Sequence, residues 1–494
     1  MNVRIIKESR DLLPFAAATV LLIVMPCVVW RNHAEAVGAF GTFTFGLGCA
    51  IMGGVSFGNE FQRRTFSMLL SQPIPRQVIW REKMLVLGAS LLLTLAAAWA
   101  CLWYFGPRGW ADRDAALLPP LVALCAFCGA PYWTLQSGNS TIGAVMAAGA
   151  PCTIGAIGAL LGLLFRFSKL GIGEEELSLP LVLIYLPLVC RLGYSKFKSM
   201  EALDAPAKEL KLPARLEAML ERPLAALSAR LTGPVGSLIK KELRLQQVSF
   251  IMAGAFCLFA LAGVLLDFSY PEIAAGVCAA DYSVLIMVLP LVAGAVAVSE
   301  ERLWGISDWH LTLPPSALKQ WTVKSFTALA TSLLLGLALP VALMVLWRAK
   351  DLFNAYASGE ALPPLSIILV CVLGQLALTS AAVYAGSICN STMWAILSGL
   401  GIFVGLPAWS SWMIARSFQT QVSLASNSLQ FFYWLFAVVG FLGLICLLQW
   451  FAYCNFRRRG SSRLRLVLQL LALGFFPAVC WICVVGGLFL SRAL

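Results

Sequence analysis

The sequence predicts an all-α, polytopic membrane protein made of two six-helix units in tandem, with one further helix at the C-terminus. Three observations carry this. The 494 residues are 60% hydrophobic and 12% charged, with a mean hydropathy of +0.83, whereas about a quarter of the residues in soluble domains are charged. Apolar runs of roughly 20 residues, long enough to cross a bilayer, recur along the whole chain. Short polar markers recur in the same order in both halves. Backbone groups in lipid must bond within their own segment, so the runs are helices.

The runs fall near 14–30, 36–57, 84–106, 116–138, 141–165, 177–194, 249–267, 281–298, 326–347, 362–386, 392–413, 429–453 and 466–490, thirteen in all. The start, "MNVRIIKESRDLLPFAAATVLLIVMPC", has the basic head and apolar run of a signal peptide. A matching segment occurs in mid-chain, where no signal peptide acts, so the first run is read as a retained span behind a short amphipathic helix over 5–13. With a cytoplasmic N-terminus and alternating helices, 27 of the 36 Lys and Arg lie inside and 9 outside. That is the positive-inside bias, which sets the orientation of a multi-pass chain with a cytoplasmic N-terminus; the membrane expected is the cell (inner) membrane. The net charge of +12 therefore reads as topology and calls for no nucleic-acid partner. The 15 cysteines lie mostly inside spans as small apolar residues and imply no disulfides.

The internal repeat is read from three markers. Lys7 and Glu8 match Lys241 and Glu242 ahead of a span; Glu60, Pro73, Trp80 and Lys83 match Glu301, Pro314, Trp321 and Lys324 at one offset of 241; "NST" at Asn139 returns at Asn390. Both copies start on the same side, which makes the repeat parallel, with its axis along the membrane normal. The domains are then 1–200, a linker over 201–234, 235–455, and 456–494 with a basic loop and the additional helix. In the linker Leu216, Leu220, Leu224, Leu227 and Leu231 recur at helical spacing between charges, as in an amphipathic helix on the membrane surface; a loose charged linker is the alternative.

Between spans two and three each half has a charged segment. An acid leaves the membrane (Glu60, Glu301), a mixed polar–apolar stretch follows, a proline turns it, and basic residues enter span three. Phe66, Met68, Leu69 and Leu70, and Ile306, Leu311 and Leu313, suit a short helix that docks onto a cytosolic partner; an interfacial helix touching only lipid is the alternative.

"SFGNEFQRRTFSMLLSQPIPRQVIWREKML" resembles the coupling-helix region of ABC-2 type exporter permeases. Glu60, Arg64, Thr65, Leu69, Leu70, Pro73, Arg76 and Lys83 match that family's pattern, as do Glu301, Arg302, Gly305, Leu311, Pro314, Lys319 and Lys324, while Ile306 stands where Thr is usual. The stretches 5–13 and 238–248 are similar to the family's interfacial connecting helices. The resemblance covers roughly 1–200 and 235–455. It implies a permease subunit that forms a translocation pathway and couples to two copies of a separate ABC ATPase, which would bind the ATP and Mg. The chain has no G-x-x-x-x-G-K-[ST] loop, so no cofactor and no enzymatic activity are expected in it. The two segments differ: Arg63 and Arg64 suggest docking through charge in the first, Trp304 and Trp309 docking through packing in the second.

Ionisable residues are nearly absent from the predicted spans, and Asp281 and Arg191 sit near span ends. Gln136, Gln375, Asn139 and Asn390 are expected to bond between helices or cap them. "CAFC" (Cys125, Cys128) and "CWIC" (Cys480, Cys483) lack a third ligand type nearby and read as apolar packing, not metal sites. The alternatives from other classes are an ion-gradient-driven secondary transporter, which calls for embedded acids, and a non-transporting membrane scaffold. The substrate is not legible. Five arginines from Arg457 to Arg465 should hold the last loop in the cytoplasm, and the run after it should carry Leu494 to the outside. A reporter active only in the cytosol, fused after Leu494, should be silent; activity there would show that the last run does not cross.

Overall fold

In a computed structural model, residues 3–29, 34–105, 113–167, 175–200, 233–267, 271–303, 305, 315–347, 365–418, 427–458 and 462–476 are described. Among them the regular structure is entirely helical, and each of the first twelve expected spans coincides with helix. Among the described residues, eight helices are long and apolar enough to cross a membrane, or nine if one bent pair counts as a single span. The protein is thus a multi-pass, all-α membrane protein. The linker leucines 216–231 and the stretch 477–494, with Cys480 and Cys483, lie outside the described residues.

The chain divides into two compact units, Met1–Glu221 with Leu258–Cys278, and Arg222–Cys257 with Ala279–Leu494. In the first unit the helices are α1 (Val3–Val29), α2 (Ala34–Gln62), the short α3 (Phe66–Leu70), α4 (Arg76–Phe105), α5 (Arg113–Ser137), α6 (Ser140–Phe167) and α7 (Glu175–Ser199). Every helix but α3 is apolar on most of its faces, so burial rather than polarity distinguishes inside from outside. On α1 the inward stripe is Leu12, Phe15, Ala16, Thr19, Leu22, Ile23 and Cys27, at helical spacing, while Leu13, Leu21 and Val28 are exposed. The centre is α2, which packs against α1, α4, α5 and α6. Its glycines make this possible: a Cβ on Gly53 would lie 2.4 Å from the Ala130 Cβ of α5. In lipid, where oil-like tails give helices little reason to associate, such close backbone approach supplies the packing energy.

The second unit holds α8 (Pro234–Leu245), α9 (Gln247–Asp267) as far as Cys257, α10 (Pro271–Leu303) from Ala279 onward, α11 (Ala317–Leu333), α12 (Leu339–Trp347), α13 (Leu365–Ile388), α14 (Thr392–Phe418), α15 (Asn427–Arg457) and a last helix over 463–476; the end of α9 and the start of α10 belong to the first unit. Again a glycine seats two inner helices: a Cβ on Gly294 of α10 would meet the Thr379 carbonyl of α13 at 2.6 Å. Between α11 and α12 runs a π-helical turn, Leu334–Ala338. Beside it Gln375 donates to the Ser332 carbonyl at 3.4 Å, and Thr379 bonds the Ser332 hydroxyl at 2.6 Å. Gln375 therefore bonds between helices, as its polarity suggested, whereas Gln136 is exposed.

Three expectations need correction. The amphipathic stretch 5–13 is not a separate helix: α1 runs unbroken through Pro14. Only the second unit has the break, where α8 and α9 meet at a 49° bend. There the buried Gln246 reaches across to donate to the Ala293 carbonyl at 2.8 Å. The helix after the basic loop, an addition to the two six-helix units, is not an appendage and enters the core of its unit. Gln469 and Asn455 exchange amide bonds at 3.1 and 3.2 Å, Tyr384 donates to Gln469 at 3.1 Å, and Leu473 is buried among Tyr384, Leu448 and Ala452. Third, the Asn-Ser-Thr pair is not equivalent. Asn139 caps α6, its Oδ1 accepting from the Thr141 and Ile142 amides at 2.8 and 3.4 Å. In the second unit α14 begins at Thr392, so Ser391 takes the cap position and Asn390 is exposed.

Asn139→Ala should lower the stability of the purified protein by about 1 kcal/mol, the usual worth of an Asn cap, while Asn390→Ala should leave it nearly unchanged. Thermal unfolding in detergent measures both; equal losses would restore the equivalence.

Candidate functional site

The charged residues singled out by the sequence converge where α2, α3 and α4 meet. After α2 the chain turns at Arg64, which takes the left-handed conformation (φ 56°) with its amide bonded to the Phe61 carbonyl at 3.1 Å. It then forms α3, the five-residue helix Phe66–Leu70, turns through Ser71–Pro75 and enters α4. A left-handed residue followed by one helical turn is what sends the chain out of the bundle and back within 13 residues, 63–75.

Glu60, at the end of α2, and Lys83, early in α4, are only 4% and 2% exposed. Lys83 Nζ lies 2.7 Å from Glu8 Oε2 and 3.5 Å from Glu60 Oε1, and donates to the Ser56 carbonyl at 3.1 Å. Lys7 closes the group on Glu60 at 2.8 Å. Thr65 donates its hydroxyl to Glu60 and its amide to the Glu60 carbonyl. Two ammoniums thus meet two carboxylates, and the tetrad is neutral by formal charge. It joins the start of α1 to both ends of the α2–α4 connection.

The second unit contains the same set. Lys324 Nζ meets Glu242 Oε1 at 2.8 Å and Glu301, donating to the Ala297 carbonyl at 3.4 Å, while Lys241 bonds Glu301. Ser56 and Ala297 stand at the same offset of 241 as Glu60 and Glu301. Gly305, opposite Arg64 at that offset, also has a left-handed φ of 68° and bonds back three residues, to the Arg302 carbonyl at 3.1 Å. Arg302 itself donates to the Ser387 carbonyl. Lys319 is exposed near the start of α11. Trp304, Ile306, Trp309, Leu311, Leu313 and Pro314 lie outside the described residues.

An aromatic clamp backs each tetrad. Trp80 packs against Phe57, Tyr194 and Phe197, with ring centroids 5.1, 5.8 and 5.7 Å away. Trp321 packs against Tyr453 and Phe456 at 6.4 and 5.4 Å. The sequence held a signal for this that went unread: "YSKF" and "YCNF", at Tyr194 and Tyr453, share their spacing. Likewise Lys7, Glu8, Lys241 and Glu242 had been read only as repeat markers, yet they complete the tetrads.

The candidate docking residues separate into two groups. Phe66, Leu69 and Leu70 are buried in the protein's own interior, Phe66 stacking on Phe61 at 4.3 Å. Arg76 donates to the Lys198 carbonyl, tying the connection to α7. What faces outward is Arg64, Met68, Ser71, Gln72 and Pro73, with Met68 68% exposed. Arg63 is exposed as well, but both its terminal nitrogens bond Asp11, at 3.0 and 3.2 Å. Cys125 sits as expected in an apolar cluster with Val182, Tyr185, Leu186 and Val189. No protein-family model, no curated protein and no solved structure matches this chain.

Removing one partner of a buried ion pair strands the others, at about 3–5 kcal/mol. Lys83→Met and Lys324→Met should each lower stability by that amount, and Glu8→Gln added to Lys83→Met should recover part of the loss. Additive losses in the double variant, followed by thermal unfolding, would mean that the tetrad carries no coupling.

Proposed function

We propose that this chain is the membrane-spanning permease subunit of an ATP-binding-cassette exporter of the ABC-2 type. Two fused six-helix halves form the pathway, with the N-terminus in the cytoplasm of the inner membrane, and each half couples to one copy of a separate ATPase that binds ATP and Mg. The observation that carries the reading is the α2–α4 connection. It is a short helix projecting from the bundle, pinned at both ends by a buried neutral tetrad, with Arg64 and Met68 turned outward. A push on such an element passes directly to α1, α2 and α4, because the ion pairs link all three. Recurrence of the tetrad, the left-handed turn and the Trp–Tyr–Phe clamp in the second unit supports the six-helix repeat on which the proposal rests.

One observation favours the secondary transporter as a second reading. Few acids fall within the predicted spans, yet Glu8, Glu60, Glu242 and Glu301 are all buried. Each of them lies on a lysine ammonium, an arrangement suited to a strut. A proton-coupling carboxylate needs an open path to solvent instead.

The test is recruitment. The tagged chain, isolated in mild detergent, should bring down an ABC ATPase, and ATP hydrolysis should be coupled to the presence of the chain. Arg64→Gly keeps the left-handed turn, as Gly305 does, and removes the charge; with Met68→Asp it should cut recruitment at least tenfold while the membrane domain keeps its melting temperature. Loss should be steeper at low salt for the charge change alone, since exposed ionic contacts are screened. No ATPase, or parental recruitment by the double variant, would overturn the proposal; gradient-driven transport without ATPase would install the second reading.

A further inference from the structure

One groove of the first unit lies beside the tetrad and shares only Trp80 with the aromatic clamp. It holds about 460 Å³ and lies where the charged connection gives way to the apolar body of α4. Val78, Arg81, Met84 and Leu85 of α4 line it together with Phe127 of α5 and Cys190 of α7. Val78, Arg81 and Leu85 recur at helical spacing and are exposed, so the groove opens sideways, along the face of the bundle, and not into its centre. From Val78 to Leu85 it runs roughly 10 Å along the helix, at 1.5 Å per residue.

Its two ends differ in chemistry. The deep end is apolar, with Met84, Leu85 and Phe127, whose ring would meet a Cβ on Gly88 of α4 at 3.3 Å. At the other end are Arg81, Glu82 and the buried Trp80. Glu82 is neutralised by Arg4 of α1 at 3.1 Å. Arg81 makes no ion pair among the described residues. The polar end therefore carries one uncompensated guanidinium, near the start of a helix long and apolar enough to cross a membrane.

We propose that this groove is a binding site for an anionic phospholipid, its phosphate on Arg81 and the first part of one acyl chain along Met84, Leu85 and Phe127. The guanidinium presents paired donors to phosphate oxygens, and a groove with lipid on its open side excludes the water that would compete. A zwitterionic lipid brings a second cation toward Arg81 and loses that advantage. With the N-terminus cytoplasmic, the site faces the leaflet in which anionic headgroups attract basic residues.

The purified full chain, stripped of lipid, is titrated with dioleoyl phosphatidylglycerol or dioleoyl phosphatidylcholine and examined by native mass spectrometry. The parent should retain the glycerol lipid about tenfold better, in line with a charge-assisted contact. Arg81→Gln should bring the two lipids to near parity, and Arg81→Lys should keep most of the preference. Arg64→Gln, which removes an equal charge from the exposed turn, should leave the preference unchanged; a melting curve for each variant shows that it is folded. Glycerol 3-phosphate should bind none of them, since it has no chain for the apolar end. Preference retained in Arg81→Gln, equal loss in Arg64→Gln, or comparable binding of glycerol 3-phosphate would each overturn the assignment.

Discussion

A lysine ammonium cannot be left bare in a medium of low dielectric, and much of the geometry near the loop ends follows from that constraint. Lys83 is almost wholly buried, so carboxylates must come to it, and those available stand on α1 and α2. Bringing them together fixes the start of α1, the end of α2 and the start of α4 against one another. The desolvation cost of such a group is several kcal/mol per ion, and the pairs offset it only when the geometry is good. The tetrad is therefore weak as a source of stability compared with an apolar core of the same volume. Its effect is on specificity: three helices have one arrangement in which all four charges are satisfied.

The rest of each unit is held by shape. Inside a bilayer, leucine against leucine is worth little more than leucine against lipid, and helices associate where backbones approach closely. Gly53 against Ala130 and Gly294 against Thr379 are such approaches, each on the helix that ends in the acid of its tetrad. Polar side chains add directional bonds at depth, as Gln375 does beside the π turn and as the Asn455–Gln469 pair does beside Tyr384. The Trp80 and Trp321 clamps close the same ends of their units that the charges occupy, so aromatic packing and ion pairing act on one level of the structure.

Much of this was legible. Hydropathy alone located the helices, because a run of 20 apolar residues has few alternatives. The charged connections stood out for the opposite reason, as polarity in an apolar chain. What the sequence hid was direction. Glu60 and Lys83 looked like surface residues since they flank exposed arginines, yet helical spacing turns Lys83 inward and Arg81 outward. Leu69 and Leu70 were read as docking residues, but a helix of one turn has to bury its apolar side against its own bundle. Asn139 and Asn390 share a tripeptide and differ by one residue in where the next helix begins, a shift too small for composition to reveal. Gln469 was missed because a single amide in an apolar run gives no sign of its partner, which lies in another helix.

The unbroken α1 and the bent α8–α9 pair have a mechanical consequence. A continuous helix behaves as a stiff rod: a displacement at Lys7 and Glu8 tilts its whole length. An angled pair behaves as an elbow, and a displacement at Lys241 and Glu242 can be taken up by a change in the 49° angle before it reaches the far end of α9. The bond from Gln246 to the Ala293 carbonyl is the friction in that elbow. Two tetrads of nearly the same chemistry are thus joined to helices of different compliance, one stiff and one with give.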